Sequence, residues 1–416
     1  MDNPGRPVIF PPMTHDADIL VAGGGLTGTA LALALARGGH SVALIDPAPA
    51  KARATPGFDG RSYALALASR RLLAALGVWD AVAEDAQPIE RIAVSDGRAG
   101  EGASPLHLIF DHAEIEEGPM GHMVEDRHLR PALLAAVADD PRIAHVEGDS
   151  VTAQTPGPAG VTVTLASGRT LSGALLVGCD GMASGTATRA GIRRTGWRYG
   201  QTALVCAIAH ERDHGGCAHQ FFMPPGPLAI LPLKGRRSSI VWTEEDATAR
   251  EIQSMDDEGY LSVLRPRFGD FLGEIALAGD RYTYPLTLSL AQSFVAARVA
   301  LAGDAAHRVH PIAGQGLNAG LRDVGALAHV LAEARRRGED IGSTQVLLRY
   351  QRWRRWDTAT LALATDGFNR LFSNDNPILR LGRDLGLGAV NAVPGLRRAF
   401  IREAAGLTGE LPDLMR

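Results

Sequence analysis

Chemistry-bearing side chains gather most densely in "LAGDAAHRVHPIAGQGLNAGLRD", Leu301 to Asp323. Asp304, His307 and His310 stand there beside a Gly-Gln-Gly, Gly314 to Gly316. The types allow a metal site, an acid–base cluster or a cradle for a bound group. His307 and His310 are i, i+3, which on a helix puts two imidazoles on one face. A metal would want a third and a fourth ligand, yet no carboxylate occurs in the dozen residues after His310, and Pro311 disfavours helix there. No metal is expected. His310 stands as a candidate proton relay against the plainer reading of a histidine satisfied within its loop.

The cradle fits the remaining residues better. Asp304 ends an apolar strand, Val299 to Ala302, where a carboxylate can hold a sugar-like hydroxyl. Pro311 to Gly316 is too rich in glycine for a core element but suits backbone lying flat along a ring system. A helix is expected from Leu317 to about Arg335, its N-terminus pointing back at the loop and favouring negative charge. Gly303, Pro311, Gly314, Gly316, Leu317 and Asn318 are therefore candidate contacts along with Asp304.

The elements that position such a cradle begin at "DADILVAGGGLTGTALALALARGGHSVALID". Ile19 to Ala22 has strand character, an Ala/Leu-rich helix follows the glycines, Gly38 and Gly39 end it, and a second strand closes on Asp46. In this β-α-β unit Gly23 permits the tight turn, Gly25 lets backbone approach a pyrophosphate, and Gly28 lets the helix pack close to the strand. Free N–H groups at the helix start receive phosphate charge. Asp46, 23 residues after Gly23, is placed to accept from an adenosine ribose. Strand, glycines, helix and acid together read as dinucleotide binding, without choosing between NAD and FAD.

Composition excludes other classes. The chain has 416 residues, 45% of them hydrophobic, enough for two cores, and a formal net charge of −4, which gives no general attraction to nucleic acid. Three cysteines, Cys179, Cys206 and Cys217, have neither zinc-type spacing nor the density of a disulfide scaffold, so a reducing cytoplasm is the expected compartment. No apolar run reaches the roughly 18 residues of a membrane span, and Met1 to His15 lacks a signal-peptide core.

Two further segments carry a resemblance that selects FAD. "ALLVGCDGMASGTATRAGI", with Asp180-Gly181 after a strand, resembles the Asp-Gly motif of the class A flavoprotein aromatic hydroxylases, the para-hydroxybenzoate hydroxylase group; Gly303-Asp304 resembles their Gly-Asp motif. "HPIAGQGLNAGLRDV", "DGRSYALALASRRLLAALGVWD", "YGQTALV", "GPLAILPL" and the C-terminal "LGLGAVNAVPGLRRAFIREAAGLTGELPDL" are similar to the branch that hydroxylates polyprenylated phenols in ubiquinone biosynthesis. The similarity spans Asp18 to Leu414.

That resemblance implies Arg61 reaching the FAD, Arg127 beside the pyrophosphate or flavin, Asp180 in the cofactor site and Asp304 on the ribityl chain. It implies hydroxylation of an aromatic ring carbon of a polyprenyl phenol by O₂, through a flavin C4a-hydroperoxide. NAD(P)H would be the transient reductant, since no second G-x-G-x-x-G is present, or else a partner protein would deliver electrons. Association with a ubiquinone-biosynthesis complex is a further implication. Two positions depart from the pattern: Ala187 stands where the family has arginine, with Arg189 two residues on, and Asp126 stands where the branch commonly has asparagine.

The expected fold is α/β. A Rossmann-like FAD-binding domain of the para-hydroxybenzoate hydroxylase type is assembled from residues 16–97, 122–195 and 283–370. A β-sheet substrate domain is inserted as 98–121 and 196–282, and 371–416 form a helical C-terminal tail. "RYQRWRRW" reads as an amphipathic helix packed on the FAD domain in preference to a nucleic-acid surface. Arg397, Arg398 and Arg402, with interleaved apolar residues, suit rest on the inner face of an anionic membrane, where a lipid-like substrate would be met. Competing readings are a flavin-dependent reductase and a non-catalytic flavoprotein scaffold of a quinone-synthesis complex; a halogenase lacks its Trp-x-Trp-x-Ile-Pro motif here.

Overall fold

The architecture comes from a computed structural model that describes residues 15–53, 57–98, 100, 102–103, 108–309, 314–372 and 393–416. Its first element is the expected unit: β1 (Ile19–Ala22), α1 (Leu26–Arg37) and β2 (Val42–Asp46). Both strands are buried along their whole length, as a parallel sheet covered on both faces requires. They belong to a six-stranded sheet in the order Val295–Ala296, Val299–Leu301, Leu175–Gly178, β1, β2, Ile143–Glu147. Every pairing is parallel except the outer one between Val295–Ala296 and Val299–Leu301. Gly23, Asp46, Asp180 and Gly303-Asp304 therefore all emerge at the carboxyl edge of one sheet, where open α/β sheets bind ligands.

α1 is Ala-rich because it is buried nearly all round, packed between the helices Asp126–Asp139 and Gln315–Arg336. Small side chains let three helices approach the sheet closely. An antiparallel meander, Val151–Pro156, Val161–Leu165 and Thr170–Gly173, joins the same core through Val163, Leu165 and Leu171.

A ten-stranded sheet forms the second layer. Its centre is the strand Arg194–His210, paired antiparallel with Arg237–Glu245 and Tyr282–Ala291. The stretch "HQFFMPPGPLAILPL" supplies two of its strands, Cys217–Met223 and Gly226–Leu233, folded back on each other across Pro224 and Pro225. Helices Asp246–Ser254 and Asp257–Phe268 cover it through Ile252, Tyr260, Leu264 and Phe268.

The seam between layers differs from the sequence expectation. Arg91–Arg98, placed mostly with the first FAD segment, pairs with Cys217–Met223 in the large sheet, and His307–Arg308 forms its opposite edge. Short strands alone do not disclose which sheet they join. Gly121–Glu125, by contrast, pairs with Ser62–Ala66 and Gln87–Ile89 in a small three-stranded sheet beside the FAD layer.

The "RYQRWRRW" segment lies on a long helix, Thr344–Phe372, with Tyr350 and Arg354 buried and Trp356 exposed, as an amphipathic helix requires. Beyond it, the tail forms the helix Pro394–Ala404 and a 3-10 turn at Asp413–Met415. Ile401, Ala405 and Leu407 pack with Leu67, Phe110 and Phe222, so the tail straps both layers.

Candidate functional site

The turn after β1 is built for close approach. Gly23 has φ +104°, and a Cβ there would lie 2.5 Å from the Cys179 carbonyl oxygen. A Cβ on Gly28 would fall 1.8 Å from the Gly23 oxygen, so α1 is seated directly on the turn. Gly25 is the N-cap of α1 and caps with no side chain; no acid occupies the first turn, and a Cβ at Gly25 would meet nothing within 4 Å. Asp46 is buried, accepting from the Gly24 N–H and from the Ala48 N–H at 2.8 Å. The result is a bare helix N-terminus with space in front of it and a fixed carboxylate at its rim.

Gly303 repeats the device on the neighbouring strand, with φ +61° and its N–H donating to Asp323 Oδ2 at 2.9 Å. Asp304, next in the chain, is exposed, and its carboxylate makes no hydrogen bond or ion pair among the described residues. Its backbone carbonyl accepts from Arg194 at 3.1 Å, and Arg194 also reaches the Ala305 carbonyl and Ser289 Oγ. The loop is thus held by its main chain while the carboxylate stays available.

Gly314, at φ +65°, caps the Gln315–Arg336 helix, which has no side-chain cap and no acid in its first turn. A Cβ on Gly316 would meet nothing within 4 Å, and Leu317 packs against the main core. Asn318 is a different case. Its amide donates to the Ala64 and Gly314 carbonyls, and its oxygen accepts from the Ala66 N–H and the Ser69 hydroxyl at 2.7 to 3.0 Å. All that side chain's polar capacity ties the strand Ser62–Ala66 and Ser69 to the helix, which leaves its backbone for any contact with a bound ring. His310 and Pro311 lie outside the described residues.

Asp180 is engaged within its own turn. Its carboxylate accepts from the Ser184 hydroxyl and from the Thr186 N–H and hydroxyl, both at 2.9 Å, fixing the start of the Gly185–Arg189 helix. Ala187 is buried at that helix, and Arg189 turns instead to Gln154 at 3.2 Å. Ser184 and Thr186 thus tie Asp180 to its own turn, with one further acceptor position left on its carboxylate.

Arg61 lies beside Asp59, 2.6 Å away, and Asp126, 3.6 Å away. Asp126 is buried; Arg130 binds it through two nitrogens at 3.0 and 2.7 Å, and the Tyr63 hydroxyl donates to it at 2.7 Å. Burial first, and then the Asp126 charge, hold the Tyr63 phenol well above its usual range. The charge introduced by Asp126 is thus answered locally by Arg130. Arg127 is drawn to Glu125 at 2.6 Å and lies over the Phe58 ring, which Arg237 covers as well. Glu125 engages Nε alone, so the terminal nitrogens of the Arg127 guanidinium keep their donors.

His307 is buried, with Nε2 2.6 Å from Asp323 Oδ2. No group of three or more His, Cys, Asp or Glu side chains suited to a metal occurs among the described residues. Asp323 and Arg354, joined at 2.7 Å, escaped sequence reasoning. The signal was present, an acid one turn from Ala319 and Leu327 on the buried stripe of a helix, where charge is rare unless paired.

FAD fits the arrangement: the open space at Gly25 and Gly316, two uncapped helix N-termini and the Asp304 carboxylate match an anionic group carrying a polyol and a ring. Comparisons agree. A family profile described as an FAD binding domain matches residues 16–362. Ubiquinone hydroxylase UbiL of Rhodospirillum rubrum is 45% identical over 403 residues, 96% of this chain and 92% of that protein. The 3-demethoxyubiquinol 3-hydroxylase of Escherichia coli is 37% identical, covering 94% of this chain and 98% of its own. The solved structure of p-nitrophenol 4-monooxygenase from Pseudomonas putida aligns with a TM-score of 0.78 at 20% identity, over 94% and 98% of the two chains, and supports the fold. By its motifs, its site and its likeness to these proteins along nearly its whole length, the chain belongs to the FAD-dependent aromatic hydroxylases of the ubiquinone-biosynthesis branch.

Proposed function

We propose that this protein hydroxylates an aromatic ring carbon of a polyprenylated phenol during ubiquinone biosynthesis, with O₂ as co-substrate. The observation that carries the reading is the convergence, at one sheet edge, of the Gly23–Gly28 turn, Asp46, Gly303-Asp304 and the start of the Gln315–Arg336 helix, in a chain 45% identical to a ubiquinone hydroxylase. Bound FAD, once reduced, supplies the activation of O₂. The chain's own residues do the holding. The first turn of α1 receives the pyrophosphate, with Asp46 at the ribose. Asp304 takes ribityl hydroxyls, and the Gln315 helix N-terminus favours negative charge at the ring. The large sheet roofs the ring, positions the phenol and keeps water out.

Electrons come from NAD(P)H binding transiently, or from a partner protein of a ubiquinone-biosynthesis assembly. Peripheral contact with a membrane, at the cytoplasmic face, is part of the same proposal. It rests less on arginines than the sequence implied: Arg397 pairs with Glu114 and Arg402 with Glu117. Leu396 and Phe400 on that helix, and Val393 at its N-cap, are exposed large apolar residues. Among the described residues no helix is long and apolar enough to cross a membrane.

The test is a strain lacking the gene. A hydroxylated-quinone precursor one oxygen short should accumulate and vanish on complementation; normal ubiquinone with no redundant homologue would overturn the assignment. Purified protein bleached by NADH or NADPH under nitrogen would identify the reductant, and no bleaching by either would favour a protein donor.

A further inference from the structure

The carboxylate of Asp323 is entirely buried and has three partners from three segments. Oδ2 accepts from the Gly303 N–H at 2.9 Å and faces His307 Nε2 at 2.6 Å, while Oδ1 accepts from Arg354 Nε at 2.7 Å. Arg354, from the Thr344–Phe372 helix, is itself buried and extends to Asp357 at 2.7 Å. One turn earlier, the Tyr350 hydroxyl donates to the Leu301 carbonyl at 2.7 Å. The long helix therefore braces the strand and turn leading to Asp304 twice, once directly and once through Asp323.

Gly303 is also where the two cofactor-facing helices meet. A Cβ on Gly303 would lie 3.1 Å from the Thr27 side chain of α1, and a Cβ on Gly320 would lie 3.0 Å from Thr27 Oγ1 and 3.4 Å from Gly303 Cα. Such close packing leaves the turn little freedom except rotation of its peptide planes. The Asp323 bond fixes the Ala302–Gly303 peptide plane, one residue ahead of Asp304.

A buried ionic trio is a costly way to fill a core, since apolar side chains of the same volume usually do as well or better. This one ends on a single backbone N–H at the turn. Although burial pushes the Asp323 carboxyl up, His307 and Arg354 hold it below its usual range, so it stays charged. We infer that Asp323, held between His307 and Arg354, is a positioning residue: it fixes the Gly303 peptide and thereby the placement of the Asp304 carboxylate toward the ribityl chain of FAD. The inference rests on FAD occupying this site.

The test measures FAD binding to apoprotein by flavin fluorescence quenching, beside apoprotein melting. Asp323→Asn and His307→Ala should each raise the FAD Kd at least tenfold. His307→Gln, whose amide nitrogen can occupy the position of Nε2 and donate to Asp323, should recover most of that loss. Should Asp323→Asn fail to fold, the two His307 variants decide. The inference is overturned if His307→Ala binds FAD within twofold of the parent, or if His307→Gln binds no better than His307→Ala. Parent apoprotein that took up no FAD would instead overturn the reading on which the inference rests.

Discussion

Replacing Gly25 by alanine separates what the turn does for the ligand from what it does for the fold. Gly25 has φ −68° and ψ −178°, which alanine adopts without strain, and its new methyl would meet no protein atom within 4 Å. The change of N-cap from glycine to alanine costs about 1 kcal/mol at most. The methyl would instead occupy the space a pyrophosphate needs to lie against the backbone. Overpacking of that kind costs roughly 1–3 kcal/mol, which corresponds to a Kd about five- to 150-fold weaker. Gly28→Ala is the contrasting case. Its methyl would sit 1.8 Å from the Gly23 oxygen, where contacts under 3.0 Å are essentially never seen, so α1 must retreat by about 1 Å. Titration of each apoprotein with FAD, alongside its melting temperature, distinguishes them. Gly25→Ala should lose flavin affinity at nearly constant apoprotein stability, and Gly28→Ala should lose both. A Gly25→Ala protein that bound FAD within twofold of the parent would refute the placement of the pyrophosphate at this turn.

Asp304→Ala should purify largely colourless, since a charge-assisted hydrogen bond is worth roughly 1.5–3 kcal/mol; full retention of FAD, read from the visible spectrum, would remove Asp304 from the site. Ser184→Ala should lower stability by about 1 kcal/mol by deleting the cap on Ala187 N–H at 3.0 Å, yet leave FAD affinity within twofold, because Asp180 faces its own helix. A large loss of FAD in that variant would restore Asp180 to the cofactor. His122 and His219 are each pushed down from 6.5 to about 4, chiefly by burial and secondly by Arg70 and Arg91 respectively. Unfolded imidazoles protonate near 6.5 while these stay neutral, so their stabilising contribution is complete above that pH and is lost as pH falls toward 4. Each is worth on the order of 1–3 kcal/mol across that window. Melting temperature should therefore drop more steeply on acidification in the parent than in His122→Gln or His219→Gln, and parallel curves would contradict it.

The parts of the site legible in sequence were those fixed by local rules. Gly23, Gly25 and Gly28 declare themselves because a strand, a tight turn and a helix are contiguous, and Asp46 because the second strand ends on it. Asp304 followed from the same logic at another strand end. What escaped was set by tertiary partners. Nothing local says that Asn318 spends its amide on Ala64 and Ala66, or that Asp180 is engaged by Thr186. Arg127 shows the limit in another way. Its neighbour Glu125 is visible in sequence, but the Phe58 ring and Arg237 that fix it come from distant segments. Sheet membership failed for the same reason at Arg91–Arg98, whose partner Cys217–Met223 lies over a hundred residues away.

The order of strands in the FAD-binding sheet also governs how the protein is made. β2 is finished at residue 46, yet Val299–Leu301, which carries Gly303-Asp304, lies about 250 residues later. At ribosomal rates of roughly 5–20 residues per second that interval lasts on the order of 10–50 s. Once Leu175–Gly178 has joined it, the nascent sheet has an apolar edge there waiting for a partner that has not been synthesised. Flavin cannot rescue this intermediate, because the Gly303-Asp304 turn, proposed above to hold the ribityl chain, does not yet exist. Colour should therefore be acquired only after the Gly303-Asp304 turn has been made, and co-expressed chaperones should raise the yield of yellow protein more than added riboflavin does.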